Sequence, residues 1–169
     1  KIAEDGPVEL HAAYAQLPTI TPVGMASLLP GAQTGMTLTL DGDALVPRLA
    51  GAPVNNVTQR MGELAKRWGD RFAEMTLSDF VRGKPKFADT VDLLVLRSTE
   101  IDSQLENNPE TTLGLIPGTL QLIRIALHKL RGMGFRDAVV VTDHGFFLNA
   151  HAEAGDVCVK PQGAWAINA

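Results

Sequence analysis

Three short segments of this sequence carry side chains that could take part in catalysis or bind a metal ion. Thr21 precedes one apolar run, and Asp143 with His144 follows another. Asp102 and Glu106, four residues apart, come after a third apolar run. A hydroxyl can act as a nucleophile, while carboxylate oxygens and imidazole nitrogens bind divalent cations. Together these residue types suit metal-assisted transfer of a phosphoryl group.

Thr21 is predicted to cap a short helix that runs from Val23 to Leu29. Its oxygen can accept hydrogen bonds from unpaired helical amides, and Pro22 suits the first helical position, where its missing N–H costs nothing. A hydroxyl at this point faces several free N–H groups and the positive end of the helix dipole, which stabilises an alkoxide and attracts a phosphate. Thr-Pro ahead of an apolar helix is more often only a cap.

Asp143 and His144 come after the apolar run Ala138 to Val141, and Gly145 lets the chain turn sharply behind them. Two adjacent side chains at a strand end can point to opposite sides of a turn. They could then serve two metals about 4 Å apart, the usual arrangement for phosphoryl transfer. The same Asp-His-Gly pattern is more often an ordinary turn.

Asp102 and Glu106 share one face of the chain if that stretch is helical. Their carboxylates would then complete an oxygen-rich set of ligands for a hard cation. The competing interpretation is a solvated acidic loop. Arg97 ends the preceding apolar run, and we expect it to form a structural ion pair and not to contact a phosphate.

Apolar periodicity predicts the elements that must position these side chains. The predicted strands are Val8 to Tyr14, Gly35 to Leu40 (a strand or an edge ribbon), Val91 to Leu96 and Ala138 to Val141. The predicted helices are Val23 to Leu29, Val57 to Trp68, Leu77 to Val81 and Thr112 to Leu130. Asp41 to Val54 is rich in Gly, Pro and Asp, which predicts a loop.

Strands that alternate with helices predict an α/β fold, with a mostly parallel sheet and helices on both faces. In such sheets ligands bind beyond the carboxyl ends of the strands. Thr21, Asp102 and Asp143 each follow a predicted strand. We therefore expect them to converge on one edge of the sheet, although long stretches of sequence separate them.

Composition limits the classes of function. The chain of 169 residues has a net charge of −4 and no long basic block, so the sequence has no evident nucleic-acid footprint. That is weak evidence against a metal enzyme, because a bound metal itself supplies positive charge for a phosphate. No apolar run reaches the roughly 18 residues of a membrane span, no signal peptide is visible, and the single Cys158 suits a reducing compartment. We expect a cytoplasmic protein with no membrane segment.

Three segments also resemble motifs of PglZ domains, which belong to the alkaline phosphatase superfamily. Pro18 to Gly31 (PTITPVGMASLLPG) is similar to the nucleophile segment of that family. Leu94 to Asp102, followed by Glu106, is similar to its strand and EID segment, and Val139 to Phe146 to its metal-binding DHG segment. The long first motif is similar to the PglZ proteins of BREX-type bacteriophage-exclusion systems.

The resemblance implies an alkaline-phosphatase-like α/β core, two divalent metals, typically zinc, and hydrolysis of phosphate esters. Thr21 would be the nucleophile and a metal ligand, with Thr19 as the alternative nucleophile. Thr21 would attack phosphorus in line, and water would then hydrolyse the phosphothreonine.

The resemblance also implies the ligand set. Asp143 and His144 would be the paired ligands, and Asp102 a ligand of the other metal. Glu106 stands where relatives often have His, and its carboxylate can still bind a hard metal. The superfamily uses an upstream Asp that residues 1–18 do not match, and a later His for which His151 is the nearest candidate. We expect residues 1–169 to be a single partial domain, truncated at both ends, that alone binds metal poorly and turns over little substrate.

Three hypotheses for function follow. The first is metal-dependent hydrolysis of phosphodiesters of nucleic acid or oligonucleotides, in a parent protein that acts with other defence-system proteins against phage. The second is a non-catalytic structural component of a defence complex. The third, an unrelated nucleotide-binding module, is disfavoured because the sequence has neither G-x-G-x-x-G nor a P-loop lysine motif.

Overall fold

A computed structural model describes residues 6–99 and 109–145 of the chain, without the side chains of residues 109–113 and 115. The chain divides into two units, which are described separately. The first unit contains residues 1–10 and 64–140, and the second contains residues 11–63 and 141–169. The described residues form a mixed α/β structure with small sheets.

Five α-helices and five strands are formed within the described ranges. In chain order they are α1 (Thr21–Ser27), α2 (Ala32–Gly35), β1 (Met36–Asp41), β2 (Ala44–Leu49), β3 (Ala52–Pro53), α3 (Val57–Trp68), β4 (Phe72–Thr76), α4 (Leu77–Arg82), β5 (Leu93–Arg97) and α5 (Pro109–Gly132). The four predicted helices correspond to α1, α3, α4 and α5, and two of the predicted strands to β1 and β5. No helix in the described part of the chain is long and apolar enough to cross a membrane.

The first unit is built on a parallel pair of strands. β4 pairs with β5 from Phe72 opposite Leu93 to Thr76 opposite Arg97, and α4 lies between them in sequence. Helix α4 packs against both strands and against α5. Phe80 of α4 is fully buried, with Leu77 and Ala126 beside it, and apolar side chains of β4, β5 and α5 surround them. The predicted parallel pairing is therefore present, in a sheet of two strands.

Side chains form hydrogen bonds with the backbone groups at both ends of α4. At its start, the Thr76 hydroxyl oxygen accepts from the Asp79 amide at 3.1 Å, and the hydroxyl donates to the Asp79 carboxylate at 2.6 Å. At its end, the Lys129 ammonium group donates to the carbonyls of Phe80, Val81 and Gly83, at 3.1, 2.5 and 3.0 Å. Because the last carbonyls of a helix have no partner within it, Lys129 ties α5 to the end of α4.

Two ion pairs join β4 to β5 and the segments in front of them. Arg97 donates to Glu74 on the neighbouring strand at 2.6 and 2.8 Å, and Arg71 donates to Asp92. The prediction that Arg97 forms a structural ion pair is confirmed. β4 itself was not predicted, because its sequence FAEMT has no strict alternation of apolar and polar residues.

The second unit contains an antiparallel meander where the sequence predicts a loop. β1 pairs with β2, and β2 with β3. The turns are the two-residue loops Gly42-Asp43 and Ala50-Gly51, with positive φ at Gly42 (59°), Ala50 (48°) and Gly51 (82°). The loop prediction for Asp41 to Val54 is wrong because these residues make tight hairpin turns between short strands.

Pro47 lies inside β2 without breaking the β1–β2 ladder. Its carbonyl accepts from the Val54 amide at 2.9 Å, on the side of β2 that faces β3. In an antiparallel strand the N–H and C=O of one residue point to the same neighbour. The N–H that Pro47 lacks would therefore face β3, and the ladder with β1 loses no hydrogen bond.

The start of α3 is closed by a capping box. The Asn56 carboxamide oxygen accepts from the Gln59 amide at 2.9 Å, and the Gln59 side chain accepts from the amides of Asn55 and Asn56. Arg60, which is 7% exposed, donates to the carbonyls of Val54 and Asn55. These contacts connect the end of the meander to the first turn of α3.

Two predicted strands are not formed. Val8 to Tyr14 and Ala138 to Val141 have no strand pairing, and Leu10 (95%), Tyr14 (105%) and Val139 (84%) are strongly exposed. An apolar run becomes a buried strand only beside another strand that takes up its backbone hydrogen bonds. The described residues place no such strand beside these two runs, and both predictions are wrong.

Replacement of Lys129 by Met is expected to destabilise the protein. The change keeps the length of the side chain but leaves three carbonyls at the end of α4 without their donor. We expect the free energy of unfolding to fall by about 2 kcal/mol, the scale for losing hydrogen bonds to a charged group. Urea unfolding followed by circular dichroism measures this. Lys86→Met is the control, since Lys86 is exposed and should change stability by less than about 0.5 kcal/mol. Equal effects of the two substitutions would contradict the role of Lys129.

Candidate active site

Three of the five predicted site residues lie within the described part of the chain. Thr21, Asp143 and His144 belong to the second unit and are described. Asp102 and Glu106 lie outside the described residues, so their predicted roles as metal ligands stay predictions. The site can therefore be built from Thr21, Asp143 and His144.

Thr21 is the first residue of α1 and not its cap. Ile20 is the N-cap, with an extended backbone (φ −107°, ψ 143°), and no side chain caps this helix end. The prediction that Thr21 caps the helix is wrong, because the helix begins one residue earlier than the position of Pro22 indicates. Thr21 is half-buried, and its hydroxyl has no hydrogen-bond partner among the described residues.

The first turn of α1 has fewer free amides than the sequence predicts. The amides of Val23 and Gly24 both donate to the carbonyl of Ile20, at 3.0 and 2.9 Å, and Pro22 has no N–H. The expectation that several free N–H groups face the Thr21 hydroxyl is therefore wrong. Any stabilisation of a bound phosphate must come mainly from other groups.

Gly24 brings Asp143 against the same face of α1 that carries Thr21. A Cβ atom built on Gly24 would lie 2.8 Å from the Cβ of Asp143 and 2.8 Å from its carbonyl oxygen. These distances are too short for any side chain, so the Asp143 backbone fits here only against glycine. Residues three positions apart in a helix share one face. Thr21 and the contact with Asp143 are therefore neighbours on α1.

The Asp143 side chain is buried with one oxygen unsatisfied. It is 10% exposed, and its Oδ2 atom has no hydrogen-bond partner in the described structure. The Nε2 atom of His144 lies 3.5 Å from that oxygen, within the range of an ion pair but without hydrogen-bond geometry. Burying an unpaired carboxylate oxygen costs free energy unless a cation or a donor approaches it. Such an atom next to an imidazole is a reason to expect a ligand.

The arrangement also has a chemical limit. Asp143 and His144 supply one oxygen donor and one nitrogen donor, and the described residues contain no group of three or more His, Cys, Asp or Glu that could hold a metal. Thr21 stands on the same face of α1, three residues before Gly24, and its hydroxyl is a candidate third donor. These three residues alone therefore make an incomplete metal site.

Asp143 packs against α1, the helix that begins at Thr21, through a contact that the sequence reasoning missed. That reasoning relied on three strand ends at one sheet edge, and of those three strands only β5 is formed. The contact depends instead on Gly24, in the middle of a short apolar helix. A glycine inside a helix costs stability and often has a packing reason, and this is the sequence signal that could have identified the contact.

Comparisons with known proteins leave the family open. The chain matches no protein-family model, and neither a curated protein nor a solved structure is significantly similar to it.

Replacement of Gly24 by Ala is expected to separate α1 from the Asp143 segment. The added methyl group would overlap the Asp143 Cβ and carbonyl oxygen, and overpacking of this kind costs roughly 1–3 kcal/mol. Thermal and urea unfolding measure the loss. Gly62→Ala in α3 is the matched control, because nothing lies within 4 Å of its added Cβ. That control should gain up to about 1 kcal/mol from helix propensity. If both substitutions stabilise the protein, the close contact is absent.

Proposed function

We propose that this protein hydrolyses phosphate esters in a reaction that depends on a divalent metal. Thr21 is the nucleophile in this proposal, and Asp143 and His144 are metal ligands. One observation carries it: Asp143, whose buried Oδ2 atom has no hydrogen-bond partner in the described structure, packs through its Cβ and carbonyl oxygen against Gly24 of the helix that begins at Thr21. A purely structural Asp143 would be expected to have its oxygen satisfied.

The residues present fit a divalent cation. Asp143 Oδ2 is an unsatisfied hard donor, and His144 Nε2 lies 3.5 Å from it. Carboxylate oxygen together with imidazole nitrogen suits zinc. When bound, such a cation neutralises charge on the phosphoryl group and lowers the pKa of a nearby hydroxyl. In the two-metal form of the proposal Asp102 and Glu106 supply further ligands.

The position of Thr21 supports its proposed role as the nucleophile. It stands in the first turn of α1 and is half-buried. In the proposed reaction the Thr21 hydroxyl loses its proton to solvent, its oxygen forms a bond to phosphorus as the bond to the leaving oxygen breaks, and the leaving oxygen takes up a proton from solvent. Water then hydrolyses the phosphothreonine, which releases the phosphate product and restores the hydroxyl.

The finer parts of the proposal rest on the resemblance to PglZ domains. They are an alkaline-phosphatase-like core with a larger, mostly parallel sheet, substrates that are phosphodiesters of nucleic acid, and partners among phage-defence proteins in the cytoplasm. The parallel β4–β5 pair packed with α4 and α5 is compatible with such a core.

Substitutions at Thr21 and Asp143 test the proposal. The assay follows hydrolysis of bis(p-nitrophenyl) phosphate with added zinc, on this chain and on any longer polypeptide that contains it. Thr21→Ala is expected to lower turnover roughly a thousandfold or more, because it removes the nucleophile. Thr21→Ser should keep part of the activity, since it keeps the hydroxyl. Asp143→Asn should lower zinc content, measured by mass spectrometry, with an unchanged circular dichroism spectrum.

Ser27→Ala provides the matched control, since the Ser27 hydroxyl is also on α1 but donates to the carbonyl of Gly24 at 2.6 Å. It should leave turnover and zinc content within about twofold, because it removes only a local side-chain contact. If Thr21→Ala and Asp143→Asn also leave both quantities unchanged, the enzyme proposal fails. The hypothesis of a non-catalytic component of a defence complex would then be preferred.

A further inference from the structure

Three basic residues stand at alternate positions on the segment that follows Phe80. Arg82 ends α4, and Lys84 and Lys86 follow it in a segment that is neither helix nor strand. All three are exposed, whereas Pro85 and Phe87 between and after the lysines are half-buried. We call residues 82–86 the basic loop. Its alternation directs positive charge to solvent and apolar groups towards the protein.

The backbone of the basic loop is held at both ends. The Phe87 ring stacks on Phe80, with ring centroids 6.5 Å apart. The Gly83 amide donates to the Asp79 carbonyl at 2.8 Å, and the Gly83 carbonyl accepts from Lys129 at 3.0 Å. The loop is therefore anchored to the core of the first unit, and its basic side chains extend from a fixed support.

The charges of the basic loop are not neutralised within the described part of the chain. Arg82, Lys84 and Lys86 have neither an ion pair nor a hydrogen bond there. Arg71 and Arg97 of the same unit are paired with carboxylates. The chain as a whole carries a net charge of −4. An anchored, unpaired row of positive charge on an acidic chain is suited to an anionic partner.

The spacing of the row favours a linear polyanion. Because a chain spans at most about 3.3–3.6 Å per residue, residues two positions apart are separated by at most about 7 Å along the backbone. A nucleic-acid strand carries regularly spaced phosphates that such a row can follow, with an ion pair at each contact. A membrane surface is less well matched, because no large apolar side chain of residues 81–88 is exposed to enter the lipid.

We infer that the basic loop binds the phosphate backbone of nucleic acid without reading base sequence. Arg82, Lys84 and Lys86 each contact a phosphate, and affinity therefore depends on salt. The inference concerns binding by the first unit and does not depend on hydrolysis of a phosphate ester.

Binding of a fluorescein-labelled, single-stranded DNA 20-mer tests the inference. Fluorescence anisotropy is measured with the full chain at several salt concentrations, without divalent metal. Each phosphate contact contributes about 0.7 to the slope of log affinity against log salt for single strands. The double substitution Lys84→Gln with Lys86→Gln should therefore lower the slope by about 1.4. Affinity at low salt should fall about tenfold or more, with an unchanged melting temperature.

The matched control removes two positive charges from another exposed site. Lys66→Gln with Arg67→Gln changes the last turn of α3 and should leave affinity within about twofold, because surface charges away from the contact act weakly through screened solvent. Equal losses in the two double variants would show a net-charge effect and overturn the inference. It would also be overturned if the unsubstituted chain does not bind DNA, binds phosphatidylserine vesicles instead, or is displaced as well by poly-glutamate as by unlabelled DNA.

Discussion

The approach of Asp143 to α1 is possible only because residue 24 has no side chain. A Cβ there would lie 2.8 Å from two atoms of Asp143, so any other residue would push the segment away. Glycine inside a helix costs roughly 1 kcal/mol relative to alanine. α1 has only seven residues and therefore little stability of its own, so its formation depends on packing more than on helix propensity. The contact in turn fixes the surroundings of Asp143 and places it beside the Thr21 face. The candidate site therefore depends on the absence of a side chain at residue 24.

The unsatisfied Asp143 oxygen gives that contact a functional meaning. A carboxylate that is 10% exposed loses most of its hydration, and its Oδ2 has no hydrogen bond among the described residues to replace it. Natural proteins satisfy nearly all buried polar atoms, so an exception needs an explanation. A cation at this position would restore what burial removes. Burial of this carboxylate therefore destabilises the protein without a metal and strengthens the binding of a metal.

Local sequence patterns predicted the helices well and the arrangement of strands poorly. The apolar face of α3 and its capping residues Asn56 and Gln59 are local features, and the predicted bounds Val57 to Trp68 are confirmed. A strand depends on a neighbour that can lie far away in sequence. Val139–Val141 has the apolar residues of a buried strand but no paired strand in the described structure, and the turns of the β1–β3 meander resemble a loop in composition. For the site, Thr21, Asp143 and His144 were proposed from residue type, whereas the contact of Asp143 with Gly24 was not predicted. Asp102 and Glu106 lie outside the described residues, so their roles as metal ligands stay predictions.

The basic residues of the first unit have two different roles, since some hold the fold together and others are exposed without a partner. Lys129 directs its charge inwards, to three carbonyls at the end of α4, and Arg97 pairs with Glu74 across β4 and β5. Both contacts hold elements that are distant in sequence. Because Lys129 already satisfies the end of α4, Arg82 in the last turn of that helix is not needed there. The same ammonium group that closes the helix also holds Gly83, and thereby fixes the segment from which Lys84 and Lys86 extend. The hydrogen bonds of Lys129 therefore hold the segment that carries the unpaired charges of Lys84 and Lys86.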